Sequence, residues 1–382
     1  MRLGTVFQAL ASVSVAASLT SGACAQQPSI TWLGTLPNGA RSYAQGVSAD
    51  GAVVAGYDEA VIDDEGVGGE LRALRWTRTG GTTPLATRGA NSQSLAVSAD
   101  GSILVGWTED TIGMWRAAKW GADGSLTLLG TLGGAQSAAY GVSADGAIVV
   151  GWADDASNRR AAVRWQADGT VDDLGVPTGF TISWATGASA DGSTLAANAY
   201  ADRNRWRAFR WNASGWESLQ LPAGYANSEA HALSADGAVI VGRAFNGLGV
   251  EDSVAVRWTP DGAAESLGTF GGSWSIAHGV SENGAVIVGA ATDSAGWTRA
   301  FRWAAGVGME DLNRVYARLL GDGSFLEAAY GVSPDGRYIV GVGYNAATNR
   351  AEGFLLDTVP EPASLLALGV GLVGLLRARR RP

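Results

Sequence analysis

The chain has 382 residues, of which 46% are hydrophobic and 16% charged, with a formal net charge of −9; so apolar a composition excludes a disordered chain, and the acidic balance excludes nucleic acid as a natural partner. One cysteine, Cys24, excludes a disulfide framework, and Lys119 is the single lysine. Glycine, at 55 residues, is about twice its usual share of roughly 7%, which suits a chain full of turns.

Residues 1–25 read as a signal peptide. Arg2 precedes an apolar stretch through Ala17, and Ala23-Cys24-Ala25 is a small-x-small cleavage site before Gln26. Cleavage by signal peptidase after Ala25 would remove the lone thiol. The alternative, lipidation of Cys24, lacks the leucine expected upstream, since Ser21-Gly22-Ala23 stands there.

Residues 26–357 are organised by a repeat. It is clearest at Ala139–Trp152, where two hydrophobic runs flank a Ser-x-Asp-Gly turn. Asp-Gly between β-branched runs signals a hairpin, because Gly accepts positive φ without steric cost. The turn glycine recurs at Gly51, Gly101, Gly146, Gly192, Gly237, Gly284 and Gly336, at intervals of 45 to 52 residues. After each hairpin comes a strand ending in a basic residue and Trp: Arg75-Trp76, Lys119-Trp120, Arg164-Trp165, Arg210-Trp211, Arg257-Trp258 and Arg302-Trp303. The seventh copy has Gly353-Phe354 instead. A short Leu-Gly run follows, as at Leu129-Gly130 and Leu267-Gly268. Four strands per unit at this period predict an all-β fold, a seven-bladed β-propeller of four-stranded blades. The last unit lacks its fourth strand, and Trp32–Leu36 is predicted to supply it by pairing with Ala351–Leu356, closing the ring.

The first strand of each unit carries small residues on either side of a variable one: Gln45, Leu95, Tyr140, Thr186, His231, His278 and Tyr330. The small flanks read as packing near an axis. Both histidines of the chain occur at this position, but no third His, Cys or carboxylate accompanies them there, so no metal site is expected. The six Trp residues read as packing between blades. Loops between second and third strands would share one face, where binding commonly sits. The longest is Tyr57–Leu71, with Asp58, Glu59, Asp63, Asp64, Glu65 and Glu70. One helix is predicted after the Asp311 cap, with Leu312, Val315, Tyr316, Leu319 and Leu320 at helical spacing and Gly321 ending it.

Catalytic signals are sparse. The pairs Glu109/Asp110 and Asp154/Asp155 are candidates for glycan hydrolysis, which needs two placed carboxylates, but nothing marks them above other loop acids. No G-x-S-x-G element, Cys/His pair or phosphate-binding glycine loop occurs. Neither catalytic residues nor a cofactor are therefore expected. The alternative is a propeller enzyme acting on extracellular glycans.

Residues 358–382 differ in kind. Val359-Pro360-Glu361-Pro362 precede the uncharged stretch 363–376, and Arg377, Arg379, Arg380 and Arg381 follow. Fourteen helical residues span ~21 Å, short of the ~30 Å hydrocarbon core, so a short apolar helix would be a transient membrane anchor, its arginines on the cytoplasmic side. This segment resembles the PEP-CTERM sorting signal. The resemblance implies export, handling by an exosortase-type membrane transpeptidase, and association with systems that make extracellular polysaccharide or biofilm matrix. The body, through units such as Arg299-Ala300-Phe301-Arg302-Trp303 and Gly141-Val142-Ser143-Ala144-Asp145-Gly146, resembles the HAF-repeat proteins, a family of extracellular repeat proteins with no assigned catalytic residues. The expected function is an exported, non-enzymatic surface or matrix protein that binds or scaffolds, with extracellular polysaccharide as a candidate partner.

Overall fold

The computed structural model describes residues 27–60, 69–202, 205–247, 249 and 251–359. The predicted signal with Ala23, Cys24 and Ala25, the loop acids Asp63, Asp64 and Glu65, and the sorting segment from Pro360 onward lie outside them. The described chain is all-β, its helix confined to Leu312–Val315 and a 3-10 turn at Ala317–Leu319.

Among the described residues the strands form five four-stranded sheets and one of eight. Each four-stranded sheet is an antiparallel meander in chain order, as in Gly133–Val142, Val149–Asp155, Arg160–Trp165 and Val171–Gly175. The exception takes its outermost strand from the other end of the chain. The eight-stranded sheet is two such meanders, residues 227–268 and 271–311, joined by one parallel bridge between Ser253 and Trp274.

The Ser-x-Asp-Gly turns form as the residue types require. In one of them the Ser143 hydroxyl donates to Asp145 Oδ1 (2.6 Å), Asp145 accepts from the Ala147 N–H (2.9 Å), and Ser143 Oγ accepts from the Ile148 N–H (2.9 Å). All seven turn glycines have φ between 65° and 78°. The turns also join neighbouring units. The residue after serine donates its N–H to its counterpart's carbonyl: Ala49 to Ala99 (2.8 Å), Ala99 to Ala144 (2.9 Å), Ala190 to Ala235 (2.8 Å), Ala235 to Glu282 (3.0 Å) and Glu282 to Pro334 (2.9 Å). Pro334 has no N–H to pass on. At that junction the Tyr338 ring packs on Gly51, so closely that a Cβ there would lie 2.6 Å from it, as side chains of the preceding unit pack on the other turn glycines.

The basic–Trp pairs reach toward the neighbouring units, and Lys119-Trp120 and Arg164-Trp165 bond to both. Trp120, Trp165 and Trp258 are fully buried, and their Nε1 groups donate backward to Ala86 O (2.8 Å), Gly130 O (2.9 Å) and Gln220 O (2.7 Å). The basic neighbour points the other way along the pleat. Arg75, Lys119 and Arg164 donate forward to the turn-glycine carbonyls of Gly101 (3.2 Å), Gly146 (3.4 Å) and Gly192 (3.3 Å).

The two ends of the body pair, but three residues earlier than predicted. Ser29–Trp32 lies antiparallel to Arg350–Asp357, with Ser29 opposite Asp357 and Trp32 opposite Phe354. Gly34, at φ 68°, ends the strand. Leu33 and Leu36 turn into the interface with the first sheet, where Leu36 N donates to Asp58 (3.0 Å). In another sheet the strand is Leu126–Leu128 and Leu129-Gly130 follow it, whereas Leu174-Gly175 and Leu267-Gly268 lie within their strands. The predicted helix is likewise one turn. Asp311 does cap it, accepting from Asn313 N (2.9 Å), but Val315 and Leu319 are 46% and 37% exposed. Asn313, in that turn, bonds both Leu326 N (2.7 Å) and Leu326 O (2.9 Å), which ties it to the next strand. In the first sheet Asp58 and Glu59 belong to the strand Val53–Ala60, not to a loop, and buried Asp58 pairs with Arg72 at 2.8 Å.

An axial cavity with an aromatic mouth as candidate functional site

Every innermost strand carries a bulge at the same place. Pairing skips from Ala44 to Gly46, Ser94 to Ala96, Ala139 to Gly141, Ala185 to Gly187, Ala230 to Ala232, Ala277 to Gly279 and Ala329 to Gly331. The skipped residues are the variable ones. A bulge leaves its extra residue outside the ladder and re-aims its side chain, and these seven side chains line one cavity of about 610 Å³. The small flanks let the strands approach one another. A Cβ on Gly141 would lie 2.9 Å from Gly187 Cα, and one on Gly331 2.7 Å from Gln45 O.

His231 and His278 stack in the cavity wall, with centroids 5.3 Å apart and planes 8° off parallel, and Tyr330 meets His278 edge-on at 5.1 Å. His231 Nδ1 donates to Ala277 O (3.0 Å), and its Nε2 lies 3.9 Å from Glu229, which Arg243 holds at 2.7 Å. Burial above all, then the neighbouring His231 and Arg243, hold His278 well below the usual imidazole range. It is a neutral donor and acceptor at pH 7. Face-to-face rings do not converge on one point, and among the described residues no group of three metal-binding side chains gathers.

The cavity differs at its two ends. Toward the Ser-x-Asp-Gly turns it is collared by apolar side chains, among them Val47, Val97, Val142 and Leu233. Toward the loops it opens past Gln93 and Trp184. Around that mouth Tyr43 stacks on Tyr57 (4.8 Å) and Trp107 on Trp115 (4.4 Å). The Arg160 guanidinium sits 3.3 Å from the Trp152 ring centre, and Trp152 Nε1 donates to the Tyr140 hydroxyl (3.1 Å).

The loop acids serve the loops. Asp110 accepts from Ile112 N and Met114 N (both 3.0 Å) and pairs with Arg116 at 2.9 Å. Asp155 accepts from Ser157 N (2.8 Å) and Arg159 N (3.0 Å). Glu109 accepts from Asn91 N and Nδ2 (both 3.1 Å). Asp154 alone faces a recess of about 530 Å³, with Arg160 at 3.6 Å, and burial raises its pKa against the pull of that arginine. Strand alternation splits Asp154 and Asp155 onto opposite faces, and Asp110 lies beyond the strand that ends at Glu109. Of the predicted sorting residues, Val359 is described. It has φ 44°, and its N–H donates to Asp357 Oδ1 (3.1 Å). Pro360, Glu361, Pro362, Arg377, Arg379, Arg380 and Arg381 lie outside the described residues, as do 363–376. Among the described residues no helix is long and apolar enough to cross a membrane.

Residues 358–381 match the PEP-CTERM protein-sorting motif. No curated protein matches the chain in sequence. Among solved structures it is similar to the β-propeller domain of the Trilobed protease from Pyrococcus furiosus, which has an open velcro topology, at TM-score 0.55 and 10% identity, over 85% of this chain and 98% of that one. It is also similar to a puromycin hydrolase, at TM-score 0.53 and 16% identity over 81% of this chain and 53% of that one. A chain of a mitotic checkpoint complex aligns at TM-score 0.50 and 15% identity over 92% of this chain and 99% of that one. At these identities the likeness shows the fold, a β-propeller, and no activity. The C-terminal motif implies an exported protein, processed by an exosortase-type system and anchored at the membrane through its tail.

Proposed function

We propose that the chain is an exported, non-enzymatic repeat protein of the cell surface or extracellular matrix, its HAF-like units forming a closed seven-bladed propeller that binds or scaffolds. In this reading signal peptidase removes residues 1–25, an exosortase-type transpeptidase handles residues 358–382, and extracellular polysaccharide is the partner. The observation that carries it is where the ends lie. Ser29 pairs with Asp357, which also pairs with Tyr338 just after a Ser-x-Asp-Gly turn. Both ends therefore leave the turn face, and a propeller tethered there presents its loop face and cavity mouth outward.

The repeated residues support a structural use, since the serine, aspartate and glycine of the turns and the basic–Trp pairs of the third strands join turns and neighbours. The alternative is an enzyme acting on extracellular glycans, and it rests on Asp154, the one acid among the described residues that burial pushes toward a general acid. Mass spectrometry of protein recovered from producing cells tests the processing. The expected species begins at Gln26 and lacks Arg377, Arg379, Arg380 and Arg381; an intact arginine-rich end would overturn the reading.

A further inference from the structure

The axial cavity has a lining that restricts what can occupy it. Its volume of about 610 Å³ falls within the roughly 300–1,000 Å³ typical of small-molecule sites. No Asp, Glu, Lys or Arg lines it. An ionic ligand would lose its hydration there without gaining a counter-charge. A purely apolar ligand fits no better. The Gln45 amide, the His278 imidazole and the Tyr330 hydroxyl have no hydrogen-bond partner among the described residues, and an apolar occupant would leave them unsatisfied. The three stand on consecutive units around the ring, since Gly331 abuts Gln45 and His278 meets Tyr330.

We propose that the axial cavity is a binding site for an uncharged saccharide unit, which enters from the loop face. The inference rests on the binding role proposed above and assigns it a seat. Hydroxyl groups can both donate to and accept from Gln45, a neutral His278 and Tyr330. Burial, with smaller contributions from Tyr43 and Glu327, pushes the Tyr330 phenol up to about 12, so it keeps its proton to donate. The half-buried Trp184 at the mouth offers an aromatic face to the C–H side of a sugar ring.

The exported protein is titrated with neutral oligosaccharides of gluco-, manno-, galacto- and N-acetylated configuration and with oligomers of uronic acids. Tryptophan fluorescence and calorimetry report binding. The expected result is that at least one neutral series binds and the uronates bind at least roughly tenfold more weakly. Tyr330→Phe and Gln45→Leu should each weaken binding by roughly 3- to 10-fold, the worth of one hydrogen bond, with unchanged Tm. Thr186→Tyr, which fills the cavity, should abolish binding in a protein that still melts cooperatively. The inference is overturned if no neutral saccharide binds, if uronates bind equally well, or if all three variants bind like the parent. In that last case retention of matrix polysaccharide by the variants would leave the binding role standing and move its seat elsewhere. If the parent retains no polysaccharide at all, the binding role itself fails.

Discussion

Gly146 shows how much one position can be asked to do. Its φ of 74° already disfavours any side chain, and a Cβ there would lie 2.8 Å from Ile103 Cγ1 of the preceding unit. Gly169, at φ 88°, has nothing within 4 Å of the same position. Gly169→Ala should therefore cost about 1 kcal/mol of backbone strain, and Gly146→Ala about 2–3 kcal/mol because overpacking adds to it. Chemical denaturation of both variants checks this; equal losses would mean the contact between units is absent. The need for Gly at the turn was legible in Ser-x-Asp-Gly itself, but its contact with the neighbour was not, because that partner lies over 40 residues away. The cavity was half legible. Small residues flank Gln45, Tyr140 and His278 visibly in sequence, but a bulge is a mismatch of two strands and leaves no mark on the period-two pattern of one.

His278 and Asp191 mark two pH ranges in which stability changes, the second shared with the other turn aspartates held below their ordinary range, such as Asp100, Asp145 and Asp236. His278 is held well below its ordinary 6.5, so the unfolded chain binds a proton that the folded one refuses. Its stabilising contribution is full above pH 6.5 and declines as pH falls below it. Asp191 is held down to about 2, first by the Ser189 hydroxyl and next by the Ser193 N–H. Its contribution holds above its ordinary 3.8 and disappears as pH falls toward 2. Melting curves from pH 8 to pH 3 should show Tm declining in two stages. His278→Gln should remove the upper stage and leave the lower one; a parent curve flat between pH 7 and pH 5 would contradict the buried neutral imidazole.

At the scale of the element, the third strand of each unit joins its neighbours. Arg164 and Trp165 are adjacent in sequence and face opposite units. The indole is 1% exposed and donates to Gly130 O, whereas Arg164 is part-exposed, pairing with Asp172 at 2.9 Å and reaching Gly192 O. Trp165→Ala should cost about 3–5 kcal/mol, as large buried rings do. Arg164→Met should cost about 1 kcal/mol or less, because water screens an exposed pair. Equilibrium unfolding of the two variants separates the roles, and a larger loss from Arg164→Met would reverse them. The Trp packing role was legible from recurrence at a fixed position. The edges of the outer strand were not, since Leu174-Gly175 and Leu267-Gly268 end their strands from within, whereas Leu129-Gly130 and Leu33-Gly34 follow theirs. The helix misled for a related reason: Leu312, Tyr316 and Leu320 are buried at helical spacing, but the chain continues past Val315 as a 3-10 turn, Ala317–Leu319.

At the scale of the whole molecule, the units form a ring that has no disulfide among its described residues and that one short strand completes. Sequence made the closure legible through counting: the last unit lacks an outer strand, and a spare one stands at the front. It placed that strand at Trp32–Leu36 rather than Ser29–Trp32 because it read the Leu33-Gly34 run that follows as the strand. Closure covers the edge of Arg350–Asp357, which would otherwise be free to template association, with a strand of only four residues. It also sets the two ends of the body side by side, and the orientation of the cavity mouth rests on that juxtaposition. The register puts Thr31 directly opposite Leu355. Opposed residues of an antiparallel pair lie within disulfide range, and Cys24 is the chain's single native cysteine. The most direct measurement is therefore oxidation of Thr31→Cys/Leu355→Cys in the exported protein, followed by non-reducing electrophoresis and a melting curve. A closed ring predicts an intramolecular disulfide in nearly every chain and a raised Tm. Free thiols, or disulfides that form between chains, would show that the N-terminal strand does not complete the last unit.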